Sequence, residues 1–217
     1  ITHRNSGYFE RYRGKQETMK TLTLTLTAMV GLLLLSSSTQ NDRIDQIRTW
    51  YKEVEGKLKD CQIVEVEGDY VDGAAQMVTG WFDPVTNQFL KVDMYMGWDH
   101  HEETAQHYLH NGELFFTFVQ GNGVKEFFTA EEMDVDEDTY YESGMEVKTY
   151  EGYEFRYYYE DSKTIRALEK RKTFRADDEP TMDGASNEEI KPEYEYYEEA
   201  RLLLTEYLEL LKEKQGK

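Results

Sequence analysis

Four of the five histidines fall within eleven residues, as His100, His101, His107 and His110. Imidazoles grouped this closely suggest a metal site, because zinc gathers nitrogen, sulfur and carboxylate ligands around one point. The local pattern argues against a shared ion. Asn111-Gly112 is a strong short hairpin signal, since both residues tolerate the positive φ angles of a two-residue type I′ turn. Such a turn pairs His110 with Glu113, Leu109 with Leu114, Tyr108 with Phe115 and His107 with Phe116. Side chains alternate along a strand, so His107 shares a face with Ala105, Leu109, Leu114, Phe116 and Phe118, while His110 points the other way with Tyr108 and Phe115. His107 therefore reads as a sheet histidine with a hydrogen-bond partner. His100 and His101 are adjacent loop residues with no spaced third ligand, and Trp98-Asp99-His100-His101 reads as an exposed loop between hairpins, although it offers an acid/base and a stacking platform for a sugar.

The carboxylates pose a calcium question. Asp134, Asp136 and Asp138 match the first, third and fifth positions of an EF-hand loop, where alternate carboxylates converge on one ion. The match fails at Thr139, where the loop needs glycine, and at Met145, where it needs a bidentate glutamate. The segment from Glu131 to Glu142 reads first as a solvated charge run, with divalent-cation binding through Asp134, Asp136 and Asp138 as the alternative. The aromatic content raises a different possibility. Tyr153, Phe155, Tyr157 and Tyr159 occupy one strand face and form the expected core under a helix. Tyr158, with Tyr108 and Phe115, falls on the opposite face, where amphipathic aromatics would contact a partner.

Catalytic signatures are missing. There is no Gly-x-Ser-x-Gly elbow, no Gly-rich phosphate loop and no Cys-His arrangement, so the chain reads as non-enzymatic, with an envelope-associated hydrolase the weaker alternative. Its 25 Lys plus Arg against 44 Asp plus Glu give a net charge of −19. Such a surface repels phosphates, which excludes nucleic acid and anionic membranes as partners. The apolar fraction of 39% is modest, yet 17 Tyr, 10 Phe and three Trp argue against disorder.

The first methionine, Met19, stands before Lys20 and the apolar run from Thr21 to Leu35, followed by Ser36, Ser37 and Ser38. This is the pattern of a signal peptide over 19–38, too short and threonine-interrupted to span a membrane. Residues 1–18 then read as an upstream translated segment. Removing 1–38 takes away five basic and two acidic side chains and leaves 20 and 42, a net charge of −22. A secreted or periplasmic location follows, with no membrane span in the mature chain. The single cysteine, Cys61, forms no intramolecular disulfide and reads as a small buried hydrophobe.

The rest, 39–217, reads as one α+β domain. Asn41 or Asp42 caps a helix over 42–60, whose stripe is Ile44, Ile47, Tyr51, Val54 and Leu58. A hairpin sheet of six to nine strands follows over 61–171. It repeats one signature three times, at Gly80 to Leu90, His107 to Phe116 and Phe155 to Ile165. In the first copy Leu90, Val92, Met94 and Met96 take one face and Phe89, Lys91, Asp93 and Tyr95 the other. Gly68-Asp69 or Asp72-Gly73 supplies an early turn. An acidic linker occupies 176–191, with a capping box at Ser186 and Glu189. A helix over 192–214 starts at Pro192 and carries Tyr197, Ala200, Leu204, Leu208 and Leu211 as its stripe, widened by Leu203, Tyr207 and Leu210. The architecture expected is an antiparallel β-meander of hairpin repeats flanked by an N-terminal and a C-terminal helix.

The segments His107 to Phe118 and Glu154 to Leu168, with the helix and signal peptide before them, resemble a diffuse group of secreted or lipid-anchored bacterial proteins. Their repeats combine an aromatic strand, an Asn/Asp-Gly turn and a Leu-aromatic return. This chain lacks the group's lipid-bearing cysteine and carries Ser162 at the third turn's glycine position. The resemblance implies hairpins and export, and no activity or cofactor. The function expected is a non-enzymatic interaction module whose open aromatic sheet face or edge, at Tyr108, Phe115 and Tyr158, binds a protein, peptide or glycan of the cell envelope.

Overall fold

A computed structural model describes residues 40–67, 75–191 and 194–216. The signal segment, the turn at 68–73 and Pro192 lie outside the described residues. The chain divides into two compact units, 1–46 and 47–217. Of the first, residues 40–46 are described. They form the start of helix α1 (40–57), with Ile44 buried and Asn41 and Asp42 inside the helix rather than capping it.

In the second unit, α1 runs on to residue 57 and a 3-10 turn, Leu58–Asp60, leads into the strands. These are β1 (Gln62–Glu67), β2 (Ala75–Asp83), β3 (Gln88–Trp98), β4 (His101–His110), β5 (Glu113–Phe127), β6 (Val147–Glu160), β7 (Lys163–Arg175) and β8 (Glu188–Ile190). They pair antiparallel in sequence order, so the expected α+β meander is what the chain forms. Short helices α2 (Ala130–Met133) and α3 (Glu137–Ser143) interrupt the β5–β6 connection, and α4 (Tyr194–Gln215) ends the fold.

The three hairpins share a feature that turn chemistry alone does not reveal. Beyond each turn two pairs form and one residue of the returning strand is then skipped: Leu90, Phe115 and Ile165. Each extra residue is a β-bulge, which puts two neighbours opposite one partner and changes which face the strand presents. His110–Glu113 and Leu109–Leu114 pair as expected, but Tyr108 then meets Phe116, and His107 meets Thr117. Phe116 and Phe118 therefore leave the face of His107. By the same shift Phe89 joins the core beside Val92 and Met94. The third turn keeps its geometry without glycine. Asp161 and Ser162 both take positive φ, 47° and 61°, and the Tyr197 hydroxyl donates to Ser162 Oγ at 3.4 Å.

Alternation gives the sheet two covered faces. On one, Val64, Val78, Phe82, Leu109, Tyr157 and Tyr159 pack with Tyr197, Leu204, Tyr207 and Leu211 of α4 in a single core. The Tyr207 hydroxyl accepts from Gln76 Nε2 at 2.8 Å and donates to Met94 Sδ at 2.8 Å. Leu203 and Leu210 lie outside this stripe and are exposed. On the other face, Trp50 and Tyr51 of α1 pack on the β4–β5 hairpin, with Tyr51 4.9 Å from Tyr108 and Trp50 stacked 4.3 Å from His110.

One linker expectation is corrected. Glu188–Ile190 is a strand on β7, not a helical turn begun by Ser186, because its backbone groups find partners at Ala167 to Glu169. The acidic segment from Glu131 to Glu142 keeps its carboxylates exposed, as a solvated charge run should, and folds into α2 and α3. Thr129 accepts from the Glu132 N–H while the Glu132 carboxylate accepts from the Thr129 N–H, a capping box that starts α2.

Candidate functional site

Tyr108, Phe115 and Tyr158, expected on an uncovered face, are buried at 1%, 3% and 7% exposure. The reason is α1. Trp50, which the expected stripe omitted, sits edge-on to Phe115 at 5.6 Å, and the Tyr108 hydroxyl donates to Glu55 Oε1 at 2.8 Å. Behind them Lys91 is buried 3.2 Å from Asp93, its ammonium 4.7 Å above the Trp81 ring and 5.2 Å from the Tyr108 ring. Burial raises the Asp93 pKa, with the Lys91 charge opposing it, and burial together with the Glu55 acceptor raises that of the Tyr108 phenol. This is a packed polar core and not a contact surface.

The metal residues do not converge either. Asp134 ends α2 in the left-handed conformation, while Asp136 caps α3, accepting from the Thr139 N–H at 2.9 Å and its hydroxyl at 2.8 Å. Those bonds hold the Asp136 carboxyl below its usual range. Asp138 lies in the first turn of α3. Among the described residues no group of three His, Cys, Asp or Glu side chains is arranged to hold a metal ion. Cys61 is half-buried, its thiol donating to the Lys57 carbonyl at 3.5 Å and its pKa raised chiefly by burial.

Open space lies at the other end of the strands. Two adjoining cavities of about 490 and 220 Å³ share Tyr95, Glu102, Asn122, Phe174 and Pro180 and so form one groove. Four of these five share the sheet face that α1 covers at its opposite end, and Pro180 and Met182 of the β7–β8 segment form a wall. Two aromatic rings are laid across glycines. A Cβ on Gly97 would lie 2.5 Å from the Tyr95 hydroxyl, and one on Gly152 would lie 2.9 Å from Phe174 Cε1. Tyr150 stacks on Phe174 at 6.3 Å, and Tyr95 is 40% exposed. Between the rings Asn122 Nδ2 donates to Glu102 Oε1 at 2.7 Å, which leaves Glu102 Oε2 and Asn122 Oδ1 as acceptors for a ligand.

The end of the groove is shaped by Trp98, stacked on His101 with centroids 4.1 Å apart. Tyr153 donates to Glu103 Oε2 at 2.6 Å, so the His101 Nε2, 3.1 Å from the phenol oxygen, supplies the proton of that second bond. Burial and the Glu103 acceptor raise the Tyr153 pKa, so the phenol keeps its proton. His100 turns away toward Phe127, 5.8 Å off. The adjacent histidines are thus separated, and His101 braces Trp98.

Gly121 makes this bracing possible. A Cβ there would lie 2.6 Å from the Glu102 carbonyl oxygen and 2.6 Å from the Tyr153 hydroxyl. Gly121→Ala is therefore expected to lower stability by about 1–3 kcal/mol through overpacking against backbone that does not yield, read as a lower urea midpoint.

Tyr95 and Phe174 were missed by sequence reasoning. Their signal was the glycines within strands, Gly97, Gly121, Gly123 and Gly152, since glycine inside a strand marks close approach of other atoms. Comparison with protein-family models, curated proteins and solved structures finds no match to this chain.

Proposed function

We propose that the protein is an exported, non-catalytic binding module that holds a short oligosaccharide of the cell envelope in the groove between Tyr95 and Phe174. The observation that carries this reading is the pair of aromatic rings lying across glycines, with the acceptors of Glu102 and Asn122 between them. Flat rings accept the apolar face of a sugar, and the acceptors take its hydroxyls. The two glycines stand three strands apart, about 14 Å at the usual strand spacing, a span suited to several sugar rings.

A peptide fits this floor less well. Peptides added to sheets use free strand edges, whereas β3 to β6 are interior strands whose backbone groups are spent in ladders. The apolar run 21–35 supports export, and no helix among the described residues is long and apolar enough to cross a membrane.

The test is calorimetric titration of the full chain with cellotetraose, maltotetraose and chitotetraose. At least one should bind, and Tyr95→Ala and Phe174→Ala should each weaken it at least tenfold. No binding by any of the three, or undiminished binding by both variants, would overturn the reading.

A further inference from the structure

Glu102 pairs with Gly97 of β3 and with Asn122 of β5, and Asn122 pairs in turn with Gly152 of β6, so the four residues form one row across the groove floor. Glu102 thus stands one strand, about 5 Å, from the glycine beneath Tyr95. Its side chain is exposed, and the bond it accepts comes from Asn122 Nδ2, a neutral donor that leaves the carboxylate's charge in place.

The surrounding charges reinforce this one. Among the described residues, Asp99, Glu102 and Asp178 line the larger cavity together with Arg175, which gives its Nε to Asp177 at 3.1 Å. Cations on the neighbouring strands are held by other partners. Lys170 lies 3.5 Å from Glu154 Oε2, and Arg156 donates to the same oxygen at 2.6 Å. The Lys172 ammonium donates to the Thr181 and Asp183 carbonyls at 2.8 and 3.0 Å, which fixes the wall that carries Pro180 and Met182. A positive group on a ligand is therefore drawn to Glu102, by a charge-assisted bond to Oε2 and by the electron-rich face of the adjoining tyrosine ring.

We propose, resting on the saccharide reading of this site, that the groove selects an amino-sugar oligosaccharide, whose ring on Tyr95 directs a free ammonium at Glu102 Oε2. An equatorial amine at C2 lies at the edge of a sugar ring, so it meets a carboxylate beside Tyr95 while the apolar face of the sugar covers the phenol.

Three β-1,4-linked tetrasaccharides that differ only at C2 test this. Cellotetraose carries hydroxyls, chitotetraose acetamides and tetraglucosamine amines, which are charged at pH 6 as an α-amino group with a pKa of about 7.7–8.0 would be. In calorimetric titrations of the full chain at that pH, tetraglucosamine should bind at least tenfold more tightly than either neutral tetramer. Glu102→Gln, which keeps an acceptor for Asn122, should lower that ratio at least fivefold. Glu113→Gln, at an exposed hairpin position outside the groove, should leave it unchanged. Tetraglucosamine that binds no more tightly than the neutral tetramers, or a ratio that Glu102→Gln leaves intact, would overturn the amine assignment and leave the saccharide reading standing. A ratio lowered equally by Glu113→Gln would overturn it too, because the attraction would then come from the overall negative charge. No binding by any neutral tetrasaccharide would instead overturn the saccharide reading, and this assignment with it.

Discussion

Lowering the pH from 7 to 4 is expected to cost the wild-type protein roughly 3 kcal/mol more folding free energy than it costs a His107→Gln variant. His107 is buried at 3% exposure, Nδ1 is 3.1 Å from Thr117 Oγ1, and Nε2 has no partner. Burial drives its pKa down from 6.5 to about 4, because a charged imidazole there would lose its water without gaining a counter-ion. Above pH 6.5 both states are neutral and the residue adds no pH dependence. Between 6.5 and 4 the unfolded chain takes up a proton that the native protein refuses, so stability falls as the pH falls. Each pKa unit corresponds to about 1.4 kcal/mol, which sets the size of the loss. Urea unfolding of both proteins across this range would show the two stability curves diverging. Parallel curves would mean that His107 protonates in the native state.

The second large effect is expected at Leu211, a fully buried contact of α4. Leu211→Ala should destabilise the protein by about 3–5 kcal/mol, the upper part of the range for buried leucines. The space it leaves faces a glycine. A Cβ on Gly80 would lie 2.7 Å from Leu211 Cδ1 and 2.7 Å from Phe89 Cε1, so Leu211 and Phe89 fill volume that a side chain on β2 would otherwise occupy. Gly80→Ala alone should overpack and destabilise by about 1–3 kcal/mol. The double variant should lose less than the two singles together, since the methyl enters the void left by the leucine. Urea midpoints of the four proteins measure this coupling. Strict additivity would show that the two residues do not share a space.

Much of this architecture can be read from residue order. Asn111-Gly112, the alternation of Tyr153 to Tyr159 and the stripe of α4 each follow from a local rule, and the meander follows from their sequence. The bulges do not. Leu90, Phe115 and Ile165 lie beside other apolar or bulky residues, so slipping the register by one leaves the apolar pattern intact while exchanging faces. That slip, together with Trp50 on α1, explains why Phe116 and Phe118 left the face of His107 and why the expected contact surface is interior.

The groove was legible only in fragments. The run Trp98-Asp99-His100-His101 offers a stacking platform in the sequence itself, but the support of Trp98 and His101 by Tyr153 and Glu103 depends on β6 lying two strands from β4. Tyr95 and Phe174 carry no motif. Phe174 owes its role to Gly152, which β6–β7 pairing brings beneath it, whereas Tyr95 lies over Gly97 two residues further along the same strand.

The three tryptophans provide the most direct test of where a ligand binds. Trp50 lies against His110 and Phe115, Trp81 lies beneath Lys91, and Trp98 lines the groove. Indole N–H resonances of the ¹⁵N-labelled full chain would be followed during titration with whichever of cellotetraose, maltotetraose or chitotetraose binds. The Trp98 signal should shift with saturation while those of Trp50 and Trp81 stay in place. A shift of Trp50 or Trp81 with Trp98 unmoved, or no shift with any of the three saccharides, would contradict the assignment of the groove.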